Sequence, residues 1–214
     1  MSLSLSPQPS LSPAAPLRPL PPLPPLAMGR SAVAHLSGLL AAAFHQDALA
    51  RWMVPDEQER AERLPGFFRA FVELSAAHGG VFTSPDGDAV LLFLPPGAVP
   101  DEARLAEAAA ALGPYAPALH TIAALQDERH PHGPPHYYVS FAGVRADRQQ
   151  GGLVSELVAR VTARADAEGV GVYTEASSPG GEAASRRAGF ERVGPEIVLP
   201  GGGPALRPMW RDAR

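Results

Sequence analysis

The sequence predicts an α/β domain, on three observations. Apolar residues recur at helical spacing over residues 31–44 and again over 57–77. The run GGVFTSPDGDAVLLFLPPG, 79–97, carries two β-rich segments around Asp86-Gly87, a strong hairpin signal. The run HYYVSFAGV, 136–144, is nearly continuous in apolar residues, as a buried strand is, and leads through a glycine pair into another amphipathic segment.

Taken in order, residues 1–27 form a Ser/Leu/Pro tract whose prolines preclude a helix and which lacks the basic start of a secretory signal. A disordered tail is expected there, with the folded domain from 28 to 214. Val33, Leu36, Leu39, Leu40 and Phe44 mark the first helix. HQDALARWMVPD reads as a turn carrying Trp52 and closed by Pro55. Leu64, Phe67, Phe68, Phe71 and Leu74 give the second helix a core-facing side. Pro95 and Pro96 end the hairpin's second strand, and 103–125 reads as two short helices broken at Pro114. QDERHPHGPPH is expected to be an exposed loop. Its His130, His132 and His136 stand at irregular spacing among prolines with no cysteine partner, so no metal site is expected.

Composition narrows the classes. The 214 residues are 45% hydrophobic and 19% charged, as in a soluble globular protein. No apolar run approaches the ~20 residues that cross a bilayer, so no membrane partner is expected. A formal net charge of −4 lacks the basic footprint of a nucleic-acid binder. All 18 basic residues are arginine and lysine is absent, a bias of GC-rich, bacterial-like coding. With no cysteine there is no disulfide, thiolate metal site or cysteine nucleophile. Redox chemistry leaves the compartment open, and the cytoplasm is the default expectation. Oligomeric state, monomer or homodimer, is left open as well.

The glycine pair carries the chemistry. Gly151 and Gly152 join the buried strand to a helix whose face is Leu153, Leu157, Val161 and Ala165 and whose stop is Gly169. Amides at such a junction point at its mouth, and the helix dipole adds ~0.3–1 kcal/mol for an anion there. A phosphate cradle is the reading. The spaced glycines of a dinucleotide site are missing, and so is the Gly-Lys-Ser/Thr of a nucleotide-triphosphate loop.

The segment VRADRQQGGLV resembles the acyl-CoA motif of the GCN5-related N-acetyltransferases, Val-x-Pro-x-x-Gln/Arg-x-x-Gly-x-Gly/Ala after a central strand. Val144, Gln149 and Gly152 fall on its valine, Gln/Arg and glycine positions. The later YTEASSPGGEAASRRAGFERVG resembles the family's second signature, ending at Gly189 and Phe190, and PGGGPALRPMWR resembles its closing hairpin. The resemblance implies one mixed, mostly antiparallel sheet flanked by helices, and transfer of acetyl from acetyl-CoA to an amine, here of a small molecule. It implies that Gln149, Gln150, Gly151, Gly152, Leu153 and Val154 hold the pyrophosphate. The pantetheine would run along Ala142, Gly143 and Val144, in a space made by splaying of the two central strands. An amide near Val144 would polarise the thioester carbonyl.

Four positions depart from the family pattern. Ala146 replaces the proline, Val154 stands at the Gly/Ala position, and Ser178 takes the place of a common Asn. Ser185 stands where many members have a tyrosine that protonates the leaving thiolate. Ser185 is therefore the candidate acid, acting through water. An alkyl amine of pKa ~10.4 is neutral in about one molecule in 2,500 at pH 7, so a base is needed. Glu175 is the leading candidate, with His136 and Tyr173 behind it. Arg186 and Arg187 are read as a solvated helix face with an option on a cofactor phosphate. Trp52 and the LPGGGPALRP loop are expected to form the acceptor's variable wall. The alternative from another class is a module that binds acyl-CoA or an effector without turnover, which Val154 and Ser185 favour.

Overall fold

The computed structural model describes residues 23–214. Most of the expected tail therefore lies outside the described residues. From Leu23 onward the chain packs on the domain: Leu23 rests against the core, and the Leu26 amide donates to the Ala76 carbonyl at 2.8 Å.

Helix α1 (Arg30–Phe44) and helix α3 (Glu57–Ala77) form as their apolar spacing requires. Between them the expected turn is instead a short helix, α2 (Ala48–Met53). Asp47 caps it, accepting a hydrogen bond from the Leu49 amide at 2.8 Å. Asp56 caps α3 in the same way, through the Glu59 amide at 2.8 Å. Six residues are too few for a periodic pattern, which is why α2 was hidden in the sequence. Strands β1 (Val81–Thr83) and β2 (Ala89–Leu94) pair around Gly87, whose φ of +74° is the left-handed value the turn needs. Helices α4 (Glu102–Leu112) and α5 (Ala116–Arg129) are separated by a 3₁₀ turn at Pro114. Helix α5 absorbs the QDER of the expected loop, so that loop begins only at His130.

Strand β3 (His136–Val144) is followed by a 3₁₀ turn (Ala146–Gly151), helix α6 (Leu153–Glu168), strand β4 (Gly171–Ala176) and helix α7 (Pro179–Arg187). The closing segment splits into β5 (Glu191–Arg192) and β6 (Ile197–Val198) before β7 (Ala205–Arg211). The sheet order is β1-β2-β3-β4-β7-β5, with β6 on β7. Only β3 and β4 run parallel; every other pair is antiparallel. The sheet is thus mixed and mostly antiparallel, as the resemblance implied. One face packs against α1 and α3, with α4 laid on α3, and the other against α6 through Leu157, Val161 and Ala165. Burying Leu157 or Val161 contributes roughly 1.5–3 kcal/mol each. Among the described residues no helix is long and apolar enough to cross a membrane.

The α1–α2–α3 corner is held by a buried arginine. Arg60, 3% exposed, donates from Nε to the His45 carbonyl at 2.7 Å. Its Nη1 donates to the Val54 carbonyl at 2.8 Å and to Pro55 at 3.1 Å. No carboxylate partners it among the described residues; carbonyl dipoles replace its water. Arg60→Met should therefore leave three carbonyls and the corner unsatisfied. Urea unfolding should show a loss of about 3 kcal/mol, since each orphaned buried acceptor costs ~1–3 kcal/mol.

Candidate active site

The site begins with an interruption in the sheet. Strands β3 and β4 are in register from His136↔Gly171 to Val139↔Thr174 and no further. Beyond that point β3 stays with β2 and β4 stays with β7, and the two central strands part. At the same place β3 carries one extra residue. Leu92 pairs with Phe141 and Phe93 with Val139, so Ser140 is a β-bulge. Its Oγ donates to the Leu92 carbonyl at 3.2 Å.

The bulge changes which way side chains point. Tyr137 and Val139 face the α6 side of the sheet, but Phe141 faces the α1–α3 side, and Ala142 and Val144 return to α6. It also sets the amides. The Arg145 amide donates to the Asp88 carbonyl on the hairpin at 2.9 Å. By strand alternation the amides of Val144 and Ala142 face the gap, and that of Gly143 faces β2. Gly143 is bare for a different reason: a Cβ there would lie 2.9 Å from Leu40 Cδ2 on α1. Ala142 and Val144 thus edge the gap, and Gly143 does not.

A cavity of about 550 Å³ runs through this gap from one face of the sheet to the other. Its first arm is lined by Val154, Val158 and Thr162 of α6 and by Ser185 and Arg187 of α7. Its second arm is lined by Phe44, Phe67, Phe71 and Phe141, with Leu119 and Ile122 of α5. Glu175 lines it as well, on the stretch of β4 that β3 no longer pairs.

At the head of the first arm, Gly152 is the N-cap residue before α6, with φ +73°, and no side chain caps the helix. A Cβ at Gly152 would meet nothing within 4 Å. The glycine is thus demanded by its backbone angle, and the space beside it is open. The leading amides of α6 have no intrahelical acceptors and point toward the open space beside Gly152. The arginines next to it are engaged elsewhere. Arg145 and Arg148 clamp Asp88, 7% exposed at its side chain, at 2.7 and 3.0 Å. They tie the turn to the hairpin and do not face an anion. Gln149 is exposed, Leu153 packs on the core, and Val154 lines the cavity.

Glu175 has a distinctive environment. Its Oε2 accepts from the Tyr138 hydroxyl at 2.9 Å and from Gln126 Nε2 at 3.3 Å. Its Oε1 and the Tyr173 hydroxyl are both buried without a well-formed hydrogen bond, and the hydroxyl lies near enough to the carboxylate to favour its charge. Burial pushes the carboxyl above its ordinary range, and the hydroxyls of Tyr138 and Tyr173 and the Gln126 amide, all beside it, oppose that rise. Burial and the neighbouring Glu175 charge raise Tyr138 well above a normal phenol, so it remains a donor. Sequence reasoning missed Tyr138 and Gln126. Tyr138 joins Glu175 only through the β3–β4 register, and Gln126 belongs to a stretch read as loop.

The remaining candidates divide. Burial and the Glu175 charge also raise the Tyr173 phenol well above its ordinary range, so it stays protonated and is no base. His136 contacts Pro134 O at 2.8 Å, His130 Nε2 at 3.1 Å and the edge of Trp210, which is a structural set of partners. Ser185 is half-buried in the cavity wall on α7. Ser178 caps that helix, its Oγ accepting from the Gly181 amide at 3.1 Å. Arg186 is committed to Glu182 at 2.9 Å, whereas Arg187 lines the cavity with no ion-pair partner among the described residues. The same Glu182, held down to about 2 chiefly by the Arg192 hydrogen bond, joins α7 to β5 and to Arg207 of β7. Trp52 meets the closing loop, its Nε1 donating to the Pro200 carbonyl at 3.1 Å.

No protein-family model and no curated protein matches the chain. Solved structures do. The chain is similar to the histone acetyltransferase HPA2 and related acetyltransferase of Corynebacterium glutamicum, at 19% identity over 88% of this chain and 95% of that one, TM-score 0.62. An agmatine N-acetyltransferase follows at 15% identity over 87% and 97%, TM-score 0.56. The polyamine N-acetyltransferase of Drosophila melanogaster matches at 15% over 87% and 98%, TM-score 0.53. At these identities the likeness is one of fold, and the fold is that of the GCN5-related N-acetyltransferases.

The carboxyl environment makes its own prediction. The Tyr138 hydrogen bond favours the ionised form of Glu175. Tyr138→Phe should therefore raise the carboxyl's titration midpoint. Carbon-detected NMR of the Glu175 carboxyl across a pH series checks this; an unmoved or lowered midpoint contradicts the assignment.

Proposed function

We propose that the protein is an N-acetyltransferase that moves an acetyl group from acetyl-CoA to the amine of a small molecule. The observation that carries this reading is the single cavity through the strand gap. It has an uncapped helix N-terminus at one end and a desolvated carboxylate at its centre. The fold shared with amine acetyltransferases supports it.

In this reading the pyrophosphate lies against the α6 N-terminus at Gly151, Gly152, Leu153 and Val154, and Gln149 and Gln150 shape the turn before it. Arg187, unpaired in the cavity wall, is the side chain to neutralise a phosphate. The pantetheine would use the free edge of β3 at Ala142 and Val144, whose amides lack strand partners. One of them would stabilise the charge that develops on the thioester oxygen, an effect worth roughly 3 kcal/mol per donor. Val154 fits because its side chain borders the cavity without filling it.

The amine arrives protonated and must lose a proton before it attacks. Glu175 takes it, directly or through one water. Its raised pKa brings it nearer to working pH, where a general base is most effective. Below that pKa the carboxyl is protonated, so turnover should fall on the acid side. The leaving thiolate takes its proton from water held at Ser185. A thiol pKa of ~8.5 makes a strong acid unnecessary.

Two measurements test this. Acetyl-CoA at a hundred times its dissociation constant should stabilise the protein by about 2.7 kcal/mol, read as a rise in Tm. Gly152→Trp should abolish that rise while keeping a cooperative melt. Gly169→Ala, at the left-handed stop of the same helix, should lower the melt and keep binding. Glu175→Gln should lower kcat/KM for amine acetylation by ~10²–10⁴-fold with acetyl-CoA affinity unchanged. Thiol release that survives Glu175→Gln undiminished removes it as the base. Cofactor stabilisation without thiol release from any amine would favour the binding-module alternative.

A further inference from the structure

We infer that the acceptor arm takes a primary amine with one positive charge and an apolar, ring-bearing body. This deepens the acetyl-transfer reading and rests on it. The arm's wall is made of rings. Phe141, turned to this side by the bulge, lies 5.7 Å from Phe44, 6.1 Å from Phe67, 5.2 Å from Phe68 and 5.1 Å from Phe71, centroid to centroid. All four contacts are edge-to-face. Phe44, Phe71 and Phe141 are only partly buried and line the cavity, so part of their surface faces it. A guest ring finds tilted and edge-on partners there, the arrangement that aromatic pairs prefer.

Charge sets the second half of the inference. Among the described residues lining the cavity, the charged side chains are Asp47, Glu175 and Arg187. Asp47 is committed: Oδ1 caps α2, and Oδ2 accepts from Ser177 Oγ at 2.9 Å. Arg187 lies in the other arm, on α7. Glu175, whose buried Oε1 makes no well-formed hydrogen bond, is then the carboxylate placed to meet an ammonium group. An acceptor with a single ammonium can place it at Glu175 and its body among the rings. Agmatine and polyamines carry a second cationic group, which the ring-lined part of the wall would bury without a partner at heavy cost. The chain thus shares a fold with agmatine and polyamine acetyltransferases while its acceptor arm suits a different amine.

The test uses the full chain with acetyl-CoA and a panel of 2-phenylethylamine, tryptamine, agmatine, spermidine and a short peptide with a free N-terminus. Initial rates are followed by thiol release, products by mass, and acetyl-CoA binding separately by calorimetry. The expected result is a kcat/KM for the aryl monoamines on the order of a hundredfold above agmatine, spermidine and the peptide. Phe71→Leu and Phe141→Leu should each raise KM for 2-phenylethylamine by about tenfold and leave acetyl-CoA affinity unchanged, with melting curves reporting the fold. A preference below about tenfold, a dication or peptide used best, or unchanged KM in folded Phe variants overturns the inference. So does acetyl-CoA binding with no amine accepted. Absence of acetyl-CoA binding instead overturns the acetyl-transfer reading, and this inference with it.

Discussion

Everything at the candidate site depends on two parallel strands that stop pairing. A buried strand edge without partners is unfavourable, because each amide and carbonyl has lost water without gaining a bond. Here β3 and β4 hold each other from His136↔Gly171 to Val139↔Thr174, and each is then kept in place by its outer neighbour. The gap is therefore held from both sides without being closed. The Ser140 bulge makes it useful, since it phases the free amides at Ala142 and Val144 while turning Phe141 onto the opposite face. A single extra residue thereby serves both arms of the cavity.

Glu175 shows what such a gap costs. Its raised pKa means that the folded state favours the neutral carboxyl. Between its ordinary value and its raised one, the native chain holds more protons than the unfolded chain, so stability falls as pH rises through that window. Glu175 Oε1 and the Tyr173 hydroxyl beside the carboxyl are buried without a well-formed bond. A site optimised for stability alone would pair or remove them. Their persistence is the expected mark of a group held ready for a ligand.

The walls are placed by polar clamps as much as by packing. Arg60 gathers the carbonyls of the α2 corner, which presents Asp47. Arg211, 6% exposed, grips Asp166 at 2.7 and 2.9 Å and locks β7 to α6. Glu182 fastens α7, and with it Ser185 and Arg187, to β5 and β7. Each clamp joins elements far apart in the chain, so each converts secondary structure into a fixed wall.

By itself the sequence determined the elements with strong local signals. The periodic helices, the Asp86-Gly87 hairpin, the strand leading to Gly152 and the stop at Gly169 are all dictated by spacing, by turn chemistry and by glycine's freedom at positive φ. The glycine junction was also enough to point to an anion and, through its resemblance, to the fold. Helix α2 has no legible signal because one and a half turns carry no period, and the start of QDERHPHGPPH has too weak an apolar pattern to distinguish helix from loop. What only the tertiary structure decided is the site's inner geometry. The Ser140 bulge has no residue signature, strand register brings Tyr138 of β3 onto Glu175 of β4, and the docking of α5 brings Gln126 there. Burial, and with it the raised carboxyl, belongs to no local stretch, because it is made by elements that meet only when the chain has folded.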